Sequence, residues 1–93
     1  MKGIMIMVKL SECNVGDLFS VKYLDGTDEE KRHLKDMGFV PSAIIRIVSI
    51  NQENMIVQVF DSRIAINKEI SDNINGTIVK INKRKTLSLH KGF

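Results

Sequence analysis

The sequence predicts a mainly β fold with one or two short helices, arranged as a small β-barrel. Three observations lead there. Five short runs rich in strand formers are separated by close-set turn signals. One strong helix signature stands between the first run and the second. The chain, at 93 residues, is one domain's worth, with a modest core that favours a closed sheet over an open one with two bare edges.

Met1–Val8 is apolar apart from Lys2 and reads as an N-terminal extension, residues 1–8, that forms an edge strand or a lead-in. Edge-to-edge pairing of two copies, a weak self-association, is the oligomeric alternative. Asn14-Val15-Gly16 signals a turn, and Asp17–Leu24 is the first strand. Asp25-Gly26 reverses the chain. Thr27-Asp28-Glu29-Glu30 is a capping box, with the acids first and Lys31, Arg32 and Lys35 after them, the order the helix dipole favours. Gly38 is a left-handed stop and Pro41 prevents continuation, so the helix spans Asp28–Met37. Its apolar face is only Leu34 and Met37, too little for a helix of this length to be stable undocked.

Ala43–Ile50 is the second strand, with Ile45 and Ile47 on one face and Ile44, Val48 and Ile50 on the other. Apolar residues on both faces predict coverage on both sides or a tightly curled sheet. Asn51–Asn54 is a polar hairpin loop, Met55–Phe60 the third strand and Arg63–Ile66 the fourth. Asn67 caps one helical turn containing Ile70 and Ile74, Asn75-Gly76 is a further turn signal, and Thr77–Ile81 is the last strand.

Charge and chemistry narrow the function. Fourteen basic and eleven acidic residues give +3, but five basic residues and no acid lie from Lys80 onward, leaving −2 over positions 1–79. A mildly acidic body argues against nucleic-acid binding, which would have to use the basic tail and a strand face. The tail itself reads as a solvated extension. The longest apolar run, Ile4–Val8, is far short of a bilayer span, no signal-peptide cleavage site follows it, and the lone Cys13 excludes an internal disulfide, so a cytoplasmic protein is expected. There is no Gly-rich phosphate loop, paired-carboxylate motif or Gly-x-Ser-x-Gly, and an enzyme is not expected.

Glu29, His33 and Asp36 share one helix face at i, i+4 and i, i+3 spacing and are weak candidates for a divalent ion such as ferrous iron. Lys31, Arg32 and Lys35 crowd that helix with positive charge, and a solvated face is the stronger reading. Cys13, His33 and His90 lack the paired spacing of a zinc site. No cofactor is expected.

Leu10-Ser11, Gly16, Arg32 with Leu34, Met37-Gly38-Phe39, Pro41, Ile45 and Ile47, then Ile64-Ala65-Ile66, Ile70 and Ile74, fall in a common frame. In that frame the sequence resembles the FeoA family. The resemblance implies an SH3-like small β-barrel over residues 9–81, followed by a basic tail, 82–93. It also implies a cytoplasmic, non-enzymatic accessory of bacterial ferrous-iron uptake that binds the cytoplasmic GTP-binding region of the FeoB membrane transporter. The same barrel type occurs in metal-dependent repressors, so metal sensing is an alternative role. Two departures stand out. Ser42 occupies the family's glycine after the proline, so that turn is either type I or strained, and Gly76 interrupts the last strand. Leu34, Met37, Phe39 and Pro41 are core residues by type; the functional expectation is that part of this ridge stays open, with Arg32 and Lys35, as a docking groove between the helix, the Asp25-Gly26 turn and the Gly38–Ser42 loop.

Overall fold

A computed structural model describes residues 6–80. The strands are β1 (Val8–Lys9), β2 (Leu18–Leu24), β3 (Ile44–Ile50), β4 (Asn54–Val59), β5 (Ser62–Asn67) and β6 (Ile74–Val79). A 3-10 turn, Leu10–Glu12, follows β1; helix α1 (Asp28–Asp36) joins β2 to β3, and α2 (Lys68–Asp72) joins β5 to β6. All pairings are antiparallel, in the order β1-β6-β2-β3-β4-β5. The residues before Val8 that belong to the expected extension lie mostly outside the described range, as do Ile81 and the basic tail 82–93.

Alternation decides which face is inside. Phe19 and Val21 of β2, Ile45 and Ile47 of β3, Val57 and Val59 of β4, Ile66 of β5 and Ile74 of β6 are buried together with Leu10, Leu34 and Phe39. Register shifts between Val21 and Tyr23, and between Ile47 and Ser49, are bulges that sharpen the curl of the sheet. Ile44 and Ile50 are exposed. Of the two readings of β3, the tightly curled sheet holds and coverage on both sides does not.

The sheet curls into a barrel whose hydrogen-bonded ladder stays open, since β1 and β5 do not pair. With only two residues, β1 is too short to close it. Instead α2 packs on β5, β6 and the 3-10 turn, and Ser11 Oγ donates to Asp72 Oδ1 across that junction. This hydroxyl, followed by Lys68 and Lys9, holds the Asp72 carboxyl below the ordinary carboxylate range.

Helix α1 begins on the capping box. Thr27 Oγ1 accepts from the Glu30 amide at 3.1 Å and Glu30 Oε1 accepts from the Thr27 amide at 2.8 Å. It ends in a Schellman motif, with Phe39 N–H donating to the Leu34 carbonyl and Gly38 N–H to that of Lys35. Gly38 has φ +108, and a Cβ there would stand 2.6 Å from Val59 Cγ1. Met37 is the C-cap rather than the last helical residue.

The C-terminal third differs from expectation. Asn67 caps α2, its side chain accepting from the Ile70 amide, but the helix stops at Asp72 and Ile74 already belongs to β6. Asn75-Gly76 is strand, not turn. Asn75 Nδ2 donates to Asp25 Oδ2 at 2.9 Å, which satisfies the buried amide that would otherwise favour a bend. Gly76 lies against β2 so closely that a Cβ would collide with the Ser20 carbonyl oxygen and stand 2.8 Å from the Phe19 ring. The glycine therefore preserves the strand instead of interrupting it.

This packing has two measurable outcomes. Gly76→Ala forces β2 and β6 apart and lowers unfolding free energy by about 3 kcal/mol, measurable by urea titration. Cys13 is buried, and burial followed by Asp17 and Glu12 pushes its thiol up to about 11. The folded state disfavours the thiolate, so stability is complete below the unfolded thiol's pKa of 9.0 and declines as pH rises through about 11. A thiol reagent at pH 8 accordingly labels native protein far more slowly than urea-unfolded protein, and Cys13→Ala flattens the alkaline loss.

Candidate interaction site around helix α1

The helix docked on the barrel through Leu34 also divides its surface. Only Leu34 is buried within α1, while Met37 at the cap is half-buried. Its i, i+4 pairs then face opposite ways. Lys31 and Lys35 turn toward β2, where they line a groove of about 240 Å³ with Lys22, Tyr23, Leu24 and Pro41. Tyr23 is 52 % exposed there. This groove has three lysines and no acid in its lining.

Glu29 and His33 turn toward β5 and α2. There a groove of about 500 Å³ has Leu34, Met37, Ala65 and Ile70 as its apolar part and Glu29, Glu30, Glu69 and His33 as its ionisable part, with no lysine or arginine in its lining. One short helix thus separates a basic groove from an acidic one.

The six residues expected to form a single docking ridge are distributed differently. Leu34 is 5 % exposed and Phe39 fully buried, so both side chains are spent on the core. Lys35 and Pro41 line the basic groove, Met37 borders the acidic one, and exposed Arg32 lines neither. Of the metal candidates, Glu29 and His33 share the acidic groove while Asp36 is absent from its lining. Among the described residues, no group of three His, Cys, Asp or Glu side chains is arranged to hold a metal ion. Cys13 is buried beneath the 3-10 turn, its Sγ directed at the Lys9 carbonyl, and His90 lies outside the described residues.

Lys22, Tyr23 and Lys31 were not singled out by sequence. The signal for the first two was the bulge, which breaks strict alternation after Val21 and leaves both adjacent side chains outside. Glu69 joins Glu29 and Glu30 only through tertiary packing, and no local pattern announces it.

The Gly38–Ser42 loop fixes the far wall of the basic groove. Ala43 N–H donates to the Val40 carbonyl at 2.9 Å around Pro41-Ser42, and Ser42 has φ +74. The turn is therefore the strained alternative, with a side chain where glycine is at ease. Phe60, at φ +56 and exposed, is the other non-glycine residue with positive φ among those described; its ring lies over Gly38.

The FeoA domain profile matches residues 8–78, the whole barrel. The chain belongs to the FeoA family. No curated protein sequence matches it. Among solved structures it is similar to an iron uptake regulatory protein, FeoA, at 27 % identity and TM-score 0.74, covering 80 % of this chain and 100 % of that one. It is also similar to iron(II) transport protein A from Clostridium thermocellum, at 28 % identity and TM-score 0.72 over 77 % of this chain, which spans 46 % of that one. A zinc-complexed FeoA from Stenotrophomonas maltophilia, described as a prokaryotic SH3 domain protein, matches at 23 % identity and TM-score 0.65, over 77 % and 89 % of the two chains, and shows the fold alone. The barrel is thus SH3-like. Among the described residues no helix is long and apolar enough to cross a membrane.

Relief of the one turn that departs from the family frame gives a direct check. Ser42→Gly keeps the Ser42 amide bond to the Val21 carbonyl. It removes the left-handed cost of about 1–2 kcal/mol at the expense of some unfolded-state entropy, so it raises stability by about 0.5–1 kcal/mol in thermal unfolding.

Proposed function

We propose that this protein is a non-enzymatic accessory of bacterial ferrous-iron uptake that acts by binding the cytoplasmic, GTP-binding part of an FeoB-type transporter. The observation that carries the reading is the match of the FeoA domain to residues 8–78, which supports an accessory role in ferrous-iron transport. The named partner is the finer step, and charge supports one location for it on this chain. The basic groove joins Lys22, Lys31 and Lys35 to the apolar edges of Tyr23, Leu24 and Pro41, a combination suited to an acidic segment with one or two apolar anchors.

A surface of this kind does work only through differential affinity. If the groove binds one nucleotide state of the transporter better than another, it shifts that equilibrium by no more than the difference in binding free energy. No step of covalent chemistry is assigned to the barrel.

The test is binding of the full chain to the transporter's soluble cytoplasmic region, with and without guanine nucleotide. Lys31→Glu combined with Lys35→Glu weakens the complex at least about tenfold, about 1.4 kcal/mol, and the loss shrinks at high salt. Both side chains lie outside the core, so the stability lost is limited to the helix-dipole term, about 0.3–1 kcal/mol per site, and the fold is kept. Undiminished binding by this double variant moves the contact elsewhere. Leu34→Asp does not serve as a probe, because burying a carboxylate in the core unfolds the helix dock before it tests any partner.

A further inference from the structure

The acidic groove on the other flank of α1 plays no part in the proposed transporter contact. Its lining combines an apolar floor, Leu34, Met37 and Ile70, with the carboxylates of Glu29, Glu30 and Glu69. An occupant must therefore bring apolar side chains and positive charge together.

This chain contains such a segment. Residues 81–93 carry Lys83, Arg84, Lys85 and Lys91, no acid, and the apolar residues Leu87, Leu89 and Phe93. We infer that the groove between α1 and α2 receives the C-terminal segment of the same molecule, with Leu87 and Leu89 on the apolar floor and the flanking cations against Glu29, Glu30 and Glu69.

Reach permits it. Lys80 follows β6 at the end where Val79 pairs with Leu18, and the groove opens beside Asn73 at the strand's other end. Six strand residues span about 17 Å between their terminal Cα atoms. The seven peptide steps from Lys80 to Leu87 extend up to about 24 Å, enough for Leu87 and Leu89 to arrive at the groove with Lys83 and Lys85 within side-chain reach of its carboxylates. The body's −2 and the tail's excess of basic residues make the contact favourable at a distance as well as on docking. Docking in cis also needs little affinity, because a short tether holds the segment at millimolar effective concentration.

The experiment compares amide NMR spectra of the full chain with two full-length variants whose changes lie outside the barrel, Leu87→Ser with Leu89→Ser, and Lys83→Glu with Lys85→Glu. Expected are shift changes clustered at Glu29, His33, Glu69 and Ile70 in both variants. Raising salt from about 0.1 M to about 1 M, where the screening length falls from about 10 Å to about 3 Å, moves the same amides of the parent toward the variant positions. The reciprocal variant, Glu29→Lys with Glu69→Lys, gives tail amides at the positions those of the parent take at high salt. Spectra that superimpose over the groove overturn the inference. Shifts that fade on dilution assign the groove to a second copy's tail and overturn it equally, and neither result bears on the transporter contact across the helix.

Discussion

Everything on the surface of this barrel depends on how a nine-residue helix is held. A helix of that length has no independent stability in water, and α1 buries only Leu34. Its position is fixed instead by the residues at its C-terminal end. Gly38 turns the chain through a conformation closed to other residues, the Schellman hydrogen bonds lock that turn, and Phe39 enters the barrel as a fully buried plug. Leu34 and Phe39 are thus two ends of one clamp, and the helix lies where the clamp puts it. Both grooves are walls of that helix, so their width is set by core packing and not by any contact within the grooves.

The same economy appears at the seam. A barrel this small has no room for a long sixth strand at its margin, and β1 provides two residues. The remainder of the edge is covered by the 3-10 turn and α2, joined through the Ser11 hydroxyl and the Asp72 carboxylate. A carboxylate that accepts from a hydroxyl and lies near Lys68 is more acidic than usual, so the junction contributes its full share above the ordinary aspartate range and loses it as pH falls through that lowered value.

Local signals in the sequence were legible where the physics is local. The capping box at Thr27, the left-handed stop at Gly38 and the Asn67 cap each involve partners within four residues, and each is found as read. The inward set Ile45 and Ile47 was equally readable from alternation. Legibility failed where a residue answers to a distant one. Asn75-Gly76 has the composition of a turn, yet it is strand because Asp25 takes up the asparagine amide and the Ser20 backbone requires a position without Cβ. Ile44 and Ile50 suggested a second buried face, but exposed apolar residues are ordinary on small sheets and carry no instruction of their own.

The candidate site shows the same division more sharply. Of the residues that reveal the family, Leu10, Leu34, Phe39, Ile45, Ile47, Ile66 and Ile74 are interior and specify the barrel and the clamp, while Met37, Pro41, Ala65 and Ile70 reach the groove walls. A signature of that kind identifies the scaffold and the apolar part of its grooves, and leaves their charge unspecified. The polar groups that give each groove its character, Lys22, Tyr23 and Lys31 on one flank and Glu29, Glu30 and Glu69 on the other, lie outside it. They acquire meaning only after α1 is placed, when residues two apart on the helix are turned to opposite walls and each wall collects charge of one sign from a remote element. The charge each groove presents is therefore a property of the helix's rotation about the Leu34–Phe39 clamp. A substitution that rotates the helix without unfolding it would alter both grooves together, whereas a change in either wall alters one.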